Sequence, residues 1–157
     1  MLILGSKPSV VSLDRQEYYG KTQNAFWRIM GKLFGAGPDL AYADRVARLT
    51  EQGVAVWDVL ATCVRPGSLD SAIDMSSAEA NDIPALLQQY PAIRHVFFNG
   101  KKSEQIYCKQ VLAQEPDLRS DIVYRGLPST SPAMAMLNFE AKLQQWQQVA
   151  DAVLKAS

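Results

Sequence analysis

Three successive hydroxyls stand between two prolines in Leu127-Pro128-Ser129-Thr130-Ser131-Pro132-Ala133. The prolines fix φ and stiffen the segment, while Ser129, Thr130 and Ser131 offer donors and acceptors to an anion or a sugar. Such a loop suits gripping a phosphate backbone, which polar side chains and backbone N–H groups commonly do. The alternative is a plain turn whose Ser and Thr cap the following helix. A second polar group, Asp58, lies at the end of an apolar run, Val54 to Leu60. When ionised it accepts hydrogen bonds and donates none; its alternatives are a cap or a salt bridge to Arg65. Arg65, Lys101 and Lys102 supply a local positive rim, although a solvated face accounts equally for the lysine pair. His95, the sole histidine, has no partner motif and reads as structural.

These groups need a scaffold, and the hydrophobic pattern describes one. Leu2-Ile3-Leu4 reads as a short strand breaking into a Gly/Ser/Pro loop. Phe26, Ile29, Met30, Leu33 and Phe34 repeat at helical spacing until Gly35-Ala36-Gly37-Pro38 stops them. A second helix carries Tyr42, Val46 and Leu49 and is closed by Gly53. Val54 to Leu60 is near-continuously apolar, as strands of parallel sheets are, and Ala61 to Glu79 reads as a long irregular loop. Asn81 or Asp82 caps a helix with Pro84 in its first turn. His95 to Phe98 is a third strand, Ser103 to Ala113 a helix carrying Ile106, Val111 and Leu112, and Ile122 to Tyr124 a fourth strand. The last helix is expected to bury Phe139, Leu143, Trp146, Ala150 and Val153. Trp27, Trp57 and Trp146 fall on apolar faces and read as core. Alternating strands and helices imply a three-layer α/β/α sandwich around a four-stranded parallel sheet. Ligands of such sheets bind outside the carboxyl ends of the strands, where Asp58 and the hydroxyl loop both fall.

The 157 residues suit one domain, 1–157, with a good core. Sixteen basic and sixteen acidic residues cancel, so any nucleic-acid binding rests on a local patch. Cys63 and Cys108 are too few and too far apart for a zinc or iron–sulfur site and read as reduced thiols. With no membrane-length apolar run and no signal-peptide pattern, a cytoplasmic protein is expected.

The chain also carries Tyr18-Tyr19-Gly20-Lys21-Thr22-Gln23-Asn24-Ala25-Phe26-Trp27-Arg28-Ile29-Met30 after the Leu2–Leu13 segment. Gly53–Leu60, Gly67–Ile73, Phe97-Phe98-Asn99-Gly100 and the hydroxyl loop follow in order. Together these resemble the DNA-deoxyinosine (hypoxanthine-DNA) glycosylase family of the uracil-DNA glycosylase superfamily, over essentially the whole chain. The resemblance implies hydrolysis of the N-glycosidic bond of deaminated bases, hypoxanthine first and uracil second, flipped out of DNA. It implies no cofactor and no metal, DNA as partner, no membrane, and a monomer. By the same resemblance Asn24 is the functional asparagine that positions a water or polarises the base, its alternative being a helix cap. Tyr19 stacks on the flipped base, and Asp58, with Gly5 and Ser6, reads the base edge. Ser129, Thr130, Ser131 and Pro132 meet the flanking phosphates, with Lys101 beside them. Lys7 stands where the family has an apolar residue and related enzymes a catalytic Asp or Asn. A desolvated lysine there gains nucleophilicity; the alternative, that it turns outward to a phosphate, suits its flexible stem and its charge better. Lys21-Thr22 replaces the usual His/Asn-Pro, and Met134 replaces a common His or Asn. Two other readings stay open: a catalytically diverged DNA-binding relative, and a glycosylase with a Lys7-dependent lyase or crosslinking step.

Overall fold

β1 (Leu2–Gly5) is the strand on which the sheet is built. Leu2 and Leu4 point to one face and Ile3 to the other, and all three are almost wholly buried, as a strand with cover on both faces requires. The computed structural model describes residues 1–6, 18, 19, 23–64 and 74–156. β1 pairs in parallel with β2 (Ala55–Asp58) and β5 (His95–Asn99), and β5 with β6 (Val123–Leu127). The sheet therefore has four parallel strands in the order β2-β1-β5-β6.

Each face carries its own core. Leu2, Leu4, Val96 and Phe98 pack under α3 (Ile83–Gln89), α4 (Lys101–Tyr107) and a π-helical turn, Cys108–Leu112. Ile3 and Phe97 pack against α1 (Phe26–Phe34), α2 (Tyr42–Glu51) and α5 (Phe139–Ala156). The three-layer α/β/α expectation holds.

Several boundaries differ from the pattern reading, each for an identifiable reason. Chain 54–60 is not one strand. β2 ends at Asp58, and β3 (Leu60–Val64) leaves to pair antiparallel with β4 (Asp74–Ala80). The stretch expected to be irregular thus holds a two-stranded ribbon at its flanks; residues 65–73 lie outside the described residues. The Asp74–Ala80 sequence has no apolar alternation, and backbone pairing is blind to that. The helix expected over 103–113 starts at Lys101 and turns π-helical at Cys108. Ile106 and Val111, both buried, are five residues apart, a spacing that the wider turn brings closer to one face. Val46, expected on a buried face, is 39% exposed, and α2 buries only Leu49. On α5 the deepest apolar residues are Trp146, Val149 and Ala152, and Lys142 is buried with them. Phe139, Leu143 and Val153 pack only partly, and Ala150 is half-buried. Asp82 is the cap of α3, accepting from Ala85 N at 3.1 Å. Trp27 and Trp146 are buried and Trp57 packs partly against the core, as expected.

β5 ends on Asn99, whose buried carboxamide takes Thr130 from both sides. Its Nδ2 donates to Thr130 Oγ1 at 3.0 Å, and its Oδ1 accepts from Thr130 N at 2.9 Å. Asn99→Ala strands two buried polar groups of Thr130. Unfolding in urea should show a loss of roughly 2–4 kcal/mol; a loss below about 0.5 kcal/mol means the loop is held without this pair.

Candidate active site at the carboxyl edge of the sheet

The site begins where β1 and β2 end side by side, with Gly5 in register with Asp58. Val59 N donates to Gly5 O at 2.8 Å and Leu60 N to Ser6 O at 2.9 Å, so the chain stays clamped to β1 as it turns away. Asn81 Nδ2 donates to Asp58 O at 2.8 Å and fixes the same corner. Asp58 and Ser6 are both nearly buried, at 5% and 6% exposure. A Cβ on Gly5 would lie 2.8 Å from Asp58 Oδ1 and 2.9 Å from the Tyr19 hydroxyl. Carboxylate and phenol converge on one point above Gly5, and only glycine leaves room for them.

Tyr19 reaches that point from a backbone with φ of 54°. Its ring lies 4.1 Å from Phe26, tilted by 31°, which occupies one face of the phenol. Beside it, Tyr18 accepts from the Trp27 indole through its carbonyl at 2.8 Å. Its own hydroxyl is held well above the usual tyrosine pKa, first by burial and then by the negative charge of Asp58.

Asn24 opens α1. Its Oδ1 accepts from Phe26 N at 2.9 Å, so the capping alternative is real. Among the described residues no acceptor takes its amide nitrogen. The next residue ties the helix to the hydroxyl loop, because Ala25 N donates to Thr130 O at 2.9 Å. Asn24 and the loop are thereby neighbours.

The loop itself is bolted from four sides. Asn99 holds Thr130 as described, α1 holds its carbonyl, and α5 holds two further carbonyls. Trp146 Nε1 donates to Pro128 O at 2.9 Å and Lys142 Nζ to Ser131 O at 3.1 Å. Gly100, with φ of 96°, presses so close that a Cβ there would lie 3.0 Å from Ser129 Cβ. Thr130 is 1% exposed; its N–H and its carbonyl are taken by Asn99 and Ala25, and its hydroxyl accepts from Asn99. Its burial makes it a residue that builds the loop, where the sequence reading set it with Ser129 and Ser131 against the phosphates. Ser129 and Ser131 are half-buried. Their oxygens accept from Ser131 N at 3.1 Å and Ala133 N at 3.2 Å, which leaves each hydroxyl proton to donate. Pro132 is exposed, and so is Lys101, which follows Gly100. Met134 is half-buried while Met136, two residues on, is 90% exposed.

Lys7, Lys21, Thr22 and Arg65 lie outside the described residues, and with them the Asp58–Arg65 alternative. His95 stacks on Phe97 at 6.2 Å, away from the loop. Among the described residues no group of three or more His, Cys, Asp or Glu is placed to hold a metal, and no helix is long and apolar enough to cross a membrane. Two residues of the site escaped the pattern reading. Asn99 was visible only as one member of a quoted motif. Lys142 is a lysine on the buried stripe of α5, one turn before Trp146, where a lysine is out of place.

The fold is that of the base-excising α/β/α enzymes, and the polar groups gather at the sheet edge where such folds bind ligand. A model of the Uracil DNA glycosylase superfamily matches residues 1–155. The chain belongs to that superfamily. A hypoxanthine DNA glycosylase of Methanosarcina acetivorans is 37% identical over 135 residues, 85% of this chain and 79% of that protein. Its namesake in Methanosarcina barkeri is 36% identical over 104 residues, 66% and 65% of the two chains. A solution NMR structure of a candidate uracil DNA glycosylase from Methanosarcina acetivorans superposes with a TM-score of 0.76 at 31% identity, covering 98% of this chain and 89% of that one. Within the superfamily these relatives place the chain in the hypoxanthine-DNA glycosylase family.

Lys142 generates a pH prediction. Its ammonium is held below the usual lysine pKa, chiefly by burial and secondarily by the like charge of Arg28. Between that depressed value and the ordinary 10.5, the unfolded chain binds more protons, so stability rises with pH. Relative to Lys142→Met, the parent should gain in urea midpoint as pH climbs toward 10.5. Curves for the two proteins that run parallel through the alkaline range would remove Lys142 from the buried cations.

Proposed function

We propose that this chain excises deaminated bases from DNA by hydrolysing their N-glycosidic bond, taking hypoxanthine before uracil. One observation carries the reading: the Asp58 carboxylate and Tyr19 phenol converge above Gly5, beside a rigid loop with two donor hydroxyls. A base flipped from the stack enters this corner. Asp58 accepts from N1–H of hypoxanthine or N3–H of uracil, an edge that both deaminated bases share. Tyr19 stacks on the flipped base. Gly5 and Ser6 line the floor. Ser129 and Ser131, with Pro132 and Lys101 beside them, take the phosphates on either side of the flipped nucleotide.

Bond cleavage leaves the base negative and the sugar oxocarbenium-like. Asn24 meets the base. Its Oδ1 already accepts from Phe26 N, so most of its remaining capacity lies in the amide N–H donors, and a donor stabilises charge growing on the base. That favours polarisation of the leaving group over activation of water, which needs an acceptor. Met136, 90% exposed on the following loop, supplies an apolar wedge of the type that enters an unstacked base step. The protein acts in base excision repair as a single cytoplasmic domain and a monomer, without cofactor.

Duplexes carrying inosine or uracil, incubated with the protein and then treated with alkali, test the reading. Strand breaks at inosine ahead of uracil are expected, and intact strands with every lesion overturn it. Borohydride in the same assay traps a covalent adduct only if Lys7 attacks the sugar, and an adduct that vanishes in Lys7→Met would establish that step.

Asn24→Asp keeps the capping oxygen and removes the donor. It should melt within about 2 °C of the parent, since one cap is worth about 1 kcal/mol and is retained, yet release base at least about 100-fold more slowly. Parent-like release would reduce Asn24 to a cap.

Asp58→Asn exchanges an acceptor for a group that both donates and accepts. Its uracil-to-hypoxanthine ratio, measured on matched duplexes, should rise. An unchanged ratio takes Asp58 out of the base pocket.

A further inference from the structure

The chain as a whole is neutral, with 16 basic and 16 acidic residues, yet charge is not evenly spread. A groove of about 400 Å³ runs between α1 and the start of α5. Arg28 and Lys32 line it one helical turn apart, and Asp39 is the sole carboxylate among its lining residues. The Arg28 guanidinium lies 4.7 Å from the centre of the Phe139 ring, which forms one wall. Arg48 stands at the rim, its Nη1 3.6 Å from where a Gly35 Cβ would be. The floor is glycine backbone: Gly31, Gly35 and Gly37 present no side chain, and Gly31 packs so closely that its Cβ would meet Gly37 Cα at 2.8 Å.

Lys142 links the groove to the hydroxyl loop: its ammonium feels the charge of Arg28 and donates to Ser131 O at 3.1 Å. Arg28 and Lys32 follow Asn24 by four and eight residues, which at 1.5 Å per residue is roughly 6 and 12 Å down the helix. A cationic channel with a bare backbone floor fits an extended polyanion better than a compact one.

We infer that the groove between α1 and α5 is a track for the phosphodiester backbone of a DNA strand, carrying it onward from the Ser129–Ser131 loop. The inference rests on the glycosylase reading for its choice of polyanion. Arg28 and Lys32 contact successive phosphates, and Asp39 opposes binding.

Anisotropy of labelled duplexes tests this with undamaged and inosine-containing DNA, over a range of salt. One duplex extends on both sides of the lesion, and two others are cut back on one side each. Arg28→Gln/Lys32→Gln should bind the long duplex more weakly, with a salt slope lower by about 2, one per cation removed. The loss should vanish when one particular flank is cut away. Asp39→Asn, which needs no lost contact to be informative, should bind the long duplex more tightly. Parent-like affinity and slope in the double variant overturn the track. A loss that is equal for all three duplexes reports general charge and overturns it too. A parent that binds DNA with this flank dependence but releases no base keeps the track and loses the glycosylase reading. A parent that binds no DNA loses both.

Discussion

The paired hydrogen bonds between Asn99 and Thr130 are the constraint on which the rest of the site depends. A carboxamide at the end of a central strand meets both the N–H and the hydroxyl of one loop residue, at 2.9 and 3.0 Å, with both residues at 5% exposure or less. Hydrogen bonds at such depth are strong when made and costly when lost. Thr130 then passes its carbonyl to Ala25 N, so one residue joins β5, the loop after β6 and the mouth of α1. Trp146 and Lys142 secure the carbonyls on either side from α5. With so much of its backbone bound inward, the loop presents the Ser129 and Ser131 hydroxyls in one geometry. Placement of that kind is what holding a flipped nucleotide for hydrolysis demands, since small displacements cost large factors in rate.

Across the sheet edge the requirement is reversed. Here the chain must leave space, and Gly5 does so by having no Cβ where Asp58 Oδ1 and the Tyr19 hydroxyl approach within 3 Å. A carboxylate at 5% exposure is expensive to desolvate, and its charge is felt by Tyr18 nearby. In the proposed reaction this carboxylate accepts the N–H of the deaminated base. An undeaminated adenine offers an unprotonated ring nitrogen at that edge, so a normal base brings an acceptor to an acceptor there. Sites built on buried polar groups discriminate strongly for this reason.

How much of this was legible in the sequence follows from what each signal reports. The apolar run Leu2-Ile3-Leu4 and the helical spacing of Phe26 through Phe34 report burial, and these residues are buried or packed against the core. Gly35 ended α1 because a φ of 70° suits glycine. The ribbon of β3 and β4 was missed because the Asp74–Ala80 sequence carries no apolar alternation to announce a strand, while backbone pairing needs none. Val46 falls on the same helical face as Tyr42 and Leu49, and nothing in the pattern separates its 39% exposure from the burial of Leu49. At the site, Asp58 and the hydroxyl loop were found from type and position. Thr130 could not be told from Ser129 and Ser131, since three adjacent hydroxyls look alike until a buried Asn99 selects one. Lys142 was hidden by its own side chain: periodicity expects solvent at a lysine, and only the carbonyl of Ser131 explains why it turns inward.

The charges complete the picture by their placement and not by their number. A neutral chain has no long-range field to draw it to DNA, so what it gains from phosphates must come at short range. Lys142 is spent inside the fold, where it fixes the loop and, with Arg28, makes the head of the groove electropositive. Arg28 remains at the surface because its stem and guanidinium lie along Phe139, an aromatic face that holds a cation without neutralising it. Lys32 and Arg48 continue the line toward Gly35. A carboxylate partner for any of these would have lowered their cost to the folded state and also cancelled their use to a polyanion. The ion pair that the described residues do make, Arg119 with Asp121 at 2.7 Å, joins charges two residues apart outside that groove, where it straps the turn before β6 and leaves the basic face open.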